Sequence, residues 1–264
     1  MTSVLPNLAA LLQTYAFFPG SRYSDGLPGI ALFDGGTASA YENYALIDPK
    51  KMPDSRPALR SLVRASLGFF SVRGMPHIWP LFPGASPAVG ALLEECGAVR
   101  DGFFFDMSAR TDAMAGYAPE KDAFDTVCIC DPGSARAWAD AVWYGFDSEA
   151  CAPDSFVRFA RGMIRSRELL LCAVCDRDAP RSRIAATGML ALAGGTAGAY
   201  YVATRPEYRR RGLGRRAMKA LLDAANARGT DRVALLATPS GRPLYEACGF
   251  AAAGDVEIYR LGEA

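Results

Sequence analysis

The chain has a single histidine, His77, in 264 residues. That scarcity excludes a metal centre built on histidine ligands and leaves no second imidazole to share acid–base work. An excess of either charge is missing too: 29 lysines and arginines face 28 carboxylates, a net charge of +1. So even a balance argues against nucleic acid as a partner, because the arginines gather at one turn instead of spreading along a face. No run reaches the ~18 apolar residues of a membrane span. Met1 to Phe18 lacks a basic start and is interrupted by Pro6, Asn7 and Gln13, so neither a membrane partner nor a targeting segment is expected. The seven cysteines are odd in number and fall mostly in apolar runs, which suits reduced thiols in a cytoplasmic compartment better than disulfides. Cys172 and Cys175 have metal-like spacing, but in an extended strand they point to opposite faces; Cys128 and Cys130 share a face but lack a second ligand pair. No metal is therefore expected. His77, beside Ile78 and Trp79, reads as a structural histidine.

Half of the residues are hydrophobic, enough for one large core or two modest ones. The chemistry concentrates between Tyr200 and Phe250. An apolar, aromatic-rich run, Ala199 to Thr204, leads into Arg209-Arg210-Arg211-Gly212-Leu213-Gly214. A helical pattern follows, with Ala217, Leu221 and Ala224 on one face and Gly229 placed to cap its end. Its first turn carries Arg215 and Arg216, cations that oppose the helix dipole, and an anion would remove the conflict. Gly212 and Gly214 leave the backbone bare, so that successive N–H groups can point at phosphate oxygens while the arginines supply countercharge. A solvated arginine loop is the plainer alternative.

Val202 to Gly214, followed about thirty residues later by Leu244-Tyr245 and Cys248-Gly249-Phe250, resembles the GNAT superfamily of acyl-CoA-dependent N-acyltransferases. The resemblance covers roughly residues 124–262. It implies an α/β fold on one mixed sheet, with acetyl-CoA as co-substrate. It further implies a pyrophosphate cradle at Arg209, Arg210, Arg211, Gly212, Leu213, Gly214 and Arg215, and pantetheine between two splayed parallel strands, Ala199–Thr204 and Arg232–Thr238. In that pattern Val202, Ala203 and Thr204 line the cofactor, and Tyr245 is the general acid. Many members carry asparagine about seven residues before the tyrosine; here Thr238 stands there, with Ser240 nearby to bond the pantetheine amide. The base that deprotonates the amine is not visible.

Acyl transfer from a thioester to an amine needs a polarised carbonyl, a neutral amine and a proton for the leaving thiolate. A phenol with a pKa of about 10 stays protonated at neutral pH, so Tyr245 suits the last role, with packing as the alternative. A backbone N–H near Val202 or Ala203, released where the strands splay, suits the first. Upstream, Phe124–Cys130, Leu169–Cys175 and Arg183–Ala193 read as strands, Pro132–Trp143 and Asp154–Ile164 as helices capped by Asp131 and Asp154, and Gly194-Gly195 as a hairpin turn. The segment Tyr144–Pro153 commonly borders the acceptor in the family, which makes Glu149 and Asp154 candidate substrate contacts beside surface roles.

The chain also resembles itself. Gly35-Gly36-Thr37-Ala38-Ser39-Ala40-Tyr41 and Gly194-Gly195-Thr196-Ala197-Gly198-Ala199-Tyr200 differ at one position in seven, an offset of 159. Leu92-Leu93-Glu94-Glu95-Cys96-Gly97-Ala98 parallels Leu244–Phe250 at an offset of 152, so the first copy is seven residues longer, which a longer loop accommodates. Leu59–Leu67 is a helix between the two matches. Pro49, Pro53 and Pro57 remove N–H donors where the second copy has its bare turn, and Leu93 stands in place of Tyr245. Residues 1–118 are thus expected to form a degenerate GNAT-like lobe, and 123–264 the catalytic domain, joined by a linker near Ala118–Asp122. The expected activity is N-acetyl transfer to a small-molecule or peptide amine by a monomer or homodimer. The alternative is a non-catalytic acyl-CoA-binding or sensing protein.

Overall fold

The computed structural model of the chain describes residues 3–120, 122–179 and 183–262; Lys121, within the expected linker, lies outside them. In chain order the elements are α1 (Leu5–Tyr15), β1 (Arg22–Leu27), β2 (Ile30–Asp34), β3 (Asn43–Ile47), α2 (Arg56–Ser71), β4 (His77–Leu81), α3 (Pro87–Glu95) and β5 (Val99–Arg110). They continue with β6 (Phe124–Ile129), α4 (Ala135–Gly145), α5 (Asp154–Arg165), β7 (Leu169–Asp176), β8 (Arg183–Ala193), β9 (Thr196–Thr204), α6 (Leu213–Ala227), β10 (Arg232–Ala237), α7 (Arg242–Ala247) and β11 (Ala251–Leu261). This is a mixed α/β chain. It divides into a unit of residues 12–106 with 254–264 and a unit of residues 1–11 with 107–253.

The division falls elsewhere than the expected linker. Leu5–Leu11 of α1 and the end of β5 from Met107 belong to the second unit, and the chain leaves that unit within β11. The residues around Ala118–Asp122 are tied down by Arg216, which is buried although it sits in the first turn of α6. Its guanidinium donates to the carbonyls of Phe124 and Glu120 and meets the Asp122 carboxylate at 2.9 Å. A buried cation so paired is costly to disturb, which holds Glu120, Asp122 and Phe124 against α6.

In the second unit β6, β7, β8 and β9 run antiparallel in order. β9 then pairs with β10 in parallel over only two positions, Val233 with Ala197 and Ala234 with Gly198. Beyond them the strands part. The crossover is α6, whose buried face of Leu213, Ala217, Met218, Leu221, Leu222 and Ala225 follows the helical period. Gly194 and Gly195, at φ 61° and 72°, make the hairpin turn between β8 and β9, as the glycine pair predicts. Asp131 accepts from Gly133 N–H ahead of α4. Asp154 is not the cap of α5: it is the first helical residue, and its carboxylate meets Arg136 instead.

The first unit repeats the connectivity. β1, β2 and β3 run antiparallel, and β3 meets β4 in parallel at one position, Tyr44 with Ile78, through crossover α2. β11 closes this sheet, Glu257–Leu261 against Leu81–His77. Trp79 and Phe70 anchor its core with Leu59, Val63 and Leu92, each large side chain contributing about 2–3 kcal/mol by burial. The sequence repeats fall at matching places. Gly35-Gly36 follows β2 as Gly194-Gly195 follows β8, and α3 ends like α7: Ala98 N–H donates to Leu93 O and Phe250 N–H to Tyr245 O, with Gly97 and Gly249 left-handed at φ 89° and 85°. The extra residues of the first copy lie mainly in one longer loop: residues 35–42 join β2 to β3 where residues 194–195 join β8 to β9, while Asp48–Ser55 and Arg205–Gly212 are equally long.

Candidate active site

At the point where β9 leaves β10, β9 is also irregular on its other side. Its register with β8 shifts between Met189, opposite Tyr200, and Thr187, opposite Ala203. The extra residue makes a bulge in which Tyr201 is left-handed, φ 51°, a strained conformation for a non-glycine residue. The bulge is held by its side chains. Thr187 Oγ1 donates to Tyr201 O at 2.9 Å, and the Tyr201 ring packs edge-on between Trp138 and Phe156, 5.7 Å from each. Val202 consequently has a register partner in neither β8 nor β10. A backbone amide so released is the donor that a developing oxyanion requires.

After Thr204 the chain turns through Pro206–Tyr208 into α6, with Arg210 at φ 64° and Gly212, the residue before the helix, at φ 74°. Left-handed residues here set successive amides facing one way, a concave anion nest. Among the described residues, the consecutive N–H groups of Arg210 to Arg215 have no protein acceptor. Gly214 sits close to α7: a Cβ there would lie 3.0 Å from Leu244 Cδ2 and 3.6 Å from Thr204 Oγ1, so a larger side chain would have to displace Leu244. The end of β9, the start of α6 and α7 thus converge on one point.

Most of the arginines at this turn are already engaged inside the protein, so they need no bound anion to offset the helix dipole. Arg209 donates to Thr204 O and Gly145 O and pairs with Asp147 at 2.7 Å. Arg211 lies over the Phe124 ring at 4.7 Å, and Arg215 over Tyr117 at 4.8 Å. Burial pushes the Cys248 thiol up to about 11, opposed by Arg215, which bonds it. Arg210 alone of the group has no protein partner among the described residues.

Residues 135–250 match the Acetyltransferase (GNAT) family. That segment is a GNAT-family domain. The chain's fold is that of a GCN5-related N-acetyltransferase from Kribbella flavida, at 14% identity and TM-score 0.67 over 100% of this chain and 98% of that one. A tandem GNAT protein from the clavulanic acid biosynthesis pathway is similar at 14% identity and TM-score 0.65, covering 97% of this chain and 87% of that one. A conserved protein of unknown function from Staphylococcus epidermidis matches at 11% identity and TM-score 0.64, over 97% and 100%. No curated protein matches the chain.

In this GNAT domain Tyr245 lies buried in α7, its ring 6.0 Å from Phe250. Burial pushes its phenol well above the ordinary value, with Cys248 adding to the rise. The proton is therefore retained at neutral pH, which leaves the hydroxyl able to donate. Thr238 Oγ1 accepts from Gly241 N–H at 3.1 Å and lies 3.1 Å from Ser240 Oγ. It thereby offers at the start of α7 the side-chain acceptor that Gly241 lacks. His77 belongs to the first unit, stacked on Phe70 at 3.8 Å and far from this chemistry in role. All seven cysteines are free thiols.

Three parts of this site escape a reading of the sequence. The bulge at Tyr201 has no composition signal. The Arg209 to Asp147 pair joins residues distant in sequence, with Gly145 admitted against Ala203 because a Cβ would lie 2.6 Å from Ala203 Cβ. The third is α1, which was not read as a helix, although its buried positions Leu8, Leu11, Leu12 and Tyr15 follow the helical period that could have found it.

Proposed function

We propose that this GNAT domain transfers an acetyl group from acetyl-CoA to a primary amine of a small molecule or peptide, by direct attack on the thioester. The observation that carries the reading is the coincidence, at one end of β9, of a parted strand pair, a bulge that leaves Val202 without a register partner, and the unpaired N–H row from Arg210 to Arg215. The residues fit the co-substrate: that row with Arg210 would hold the pyrophosphate, and the gap between β9 and β10 would take the pantetheine. When bound, acetyl-CoA supplies an activated acyl group. Val202 N–H polarises the carbonyl, and Tyr245 donates a hydrogen bond to sulfur as charge develops there. The raised phenol favours that donation over complete proton loss.

The first unit, with the same frame but no bare turn, reads as a degenerate GNAT-like lobe. Asp48 takes the Lys50 N–H, Lys51 N–H donates to Asp48 O, and no residue from Asp48 to Arg56 is left-handed. The deciding experiment measures acetyl-CoA affinity by calorimetry and CoA release with a panel of amines, for wild type and Tyr245→Phe. One acetyl-CoA per chain and amine-dependent release are expected. Tight binding with no release from any amine would establish the acyl-CoA-binding alternative instead.

A further inference from the structure

Asn7 is fully buried, and its side chain serves another part of the chain. Its Nδ2 lies 3.1 Å from Ala191 O, 3.2 Å from Ala193 O and 3.0 Å from Thr196 O, so two N–H groups bind three carbonyls around the β8–β9 turn. Its Oδ1 accepts from Tyr200 Oη at 2.8 Å. The strand is shaped for this contact. A Cβ on Gly198 would fall 2.2 Å from Asn7 Oδ1 and 2.7 Å from the Tyr200 ring, and one on Gly194 would fall 2.9 Å from Ala10 Cβ. Neither glycine tolerates a side chain while α1 is docked.

Tyr200 is the last residue of β9 in register before the bulge, and Val202 is two residues on. The bulge is therefore pinned on both flanks: by Asn7 through Tyr200 before it, and by Thr187 on Tyr201 O within it. The left-handed Tyr201 costs about 1–3 kcal/mol and persists only where neighbours over-determine it. We infer that Asn7 is a positioning residue for acyl transfer, acting through Tyr200 to hold the bulge that presents the Val202 amide. Residues of α1 thus complete a site whose other parts begin more than a hundred positions later. The inference rests on the acyl-transfer reading for its catalytic consequence alone.

The test compares wild type, Tyr200→Phe and Asn7→Ala. Tyr200→Phe removes one hydroxyl and leaves the Asn7 clamp on the turn carbonyls, which keeps the fold. Amide exchange of residues 200–204 is expected to quicken, and kcat to fall about three- to tenfold, the size of one hydrogen bond. The Kd for acetyl-CoA is expected to stay within about twofold, since the N–H row lies beyond the bulge. A structural role alone would lower the unfolding midpoint without this split between kcat and Kd. Unchanged exchange and unchanged kcat in Tyr200→Phe would overturn the inference. If wild type releases no CoA with any amine, the acyl-transfer reading fails by itself. Exchange at residues 200–204 in Tyr200→Phe and Asn7→Ala then still decides whether Asn7 holds the bulge.

Discussion

Asp48–Ser55 and Arg205–Gly212 are turns of equal length, joining β3 to α2 and β9 to α6, and they do opposite things with their amides. The first spends its donors locally: Pro49 and Pro53 have none, and Asp48 takes the N–H groups of Lys50 and Lys51 on its side chain and carbonyl. The second places Arg210 and Gly212 in the left-handed region and leaves a row of N–H groups without an acceptor. The frame is thus indifferent to chemistry. Two left-handed residues and a stretch without proline from Glu207 to Arg215 make one turn a nest for anions and leave the other a plain helix start.

The comparison breaks most severely at the glycines. Gly212→Ala with Gly214→Val strains φ 74° and drives a side chain into Leu244, and acetyl-CoA binding by calorimetry is expected to fall at least ~100-fold, leaving no second site in the first unit to detect. The next largest effect belongs to the first unit. Burial lowers the His77 pKa from 6.5 to about 4, so the unfolded chain takes up a proton below pH 6.5 while the folded chain does not. The stability present above pH 6.5 is therefore lost as pH falls toward 4, by about 3 kcal/mol. Urea unfolding at pH 7 and pH 4 measures this, and His77→Gln is expected to flatten the dependence. Tyr245→Phe, in the second unit, is expected to lower kcat about 100-fold with acetyl-CoA affinity within about twofold. Because the phenol is raised, wild-type activity should show no alkaline loss near pH 10 from this group, and a pH–rate profile checks that. The smallest effect is expected for Asp147→Ala, which frees Arg209 from an exposed ion pair and should change the acetyl-CoA Kd by less than about fivefold.

The Asn7 clamp has a counterpart that sharpens the comparison further. In the first unit the loop after β2 is held by Asn43, whose Nδ2 donates to Thr37 O, Ser39 O and Pro76 O while its Oδ1 accepts from Gly35 N–H. That asparagine belongs to its own strand, β3. In the second unit the same service comes from α1, far away in sequence. Removing residues 1–118 to isolate the catalytic part would therefore also remove Asn7 and the Met107–Arg110 end of β5. Arg232 bonds Ser108 at 3.0 Å and Thr111 N–H donates to Asp231 O, so the cut would strip the flank of β10.

Local features were legible because their causes are local. Glycine before a helix, the apolar period of α6, the Gly194-Gly195 hairpin and the glycine ends of α3 and α7 each follow from φ/ψ freedom or from side-chain spacing within a few residues. The order of those elements determined the α/β frame and its repetition, and it pointed to Val202, the Gly212 turn and Tyr245 as one site. Only the tertiary structure decided how the arginines are spent, because Gly145 O, Asp147, Tyr117 and Cys248 reach them across the fold. It alone decided that β9 bulges at Tyr201 and that α1 and β5 give part of themselves to the second unit. Burial and pairing between distant segments carry no mark in either segment alone, since each contact exists only when both surfaces are folded.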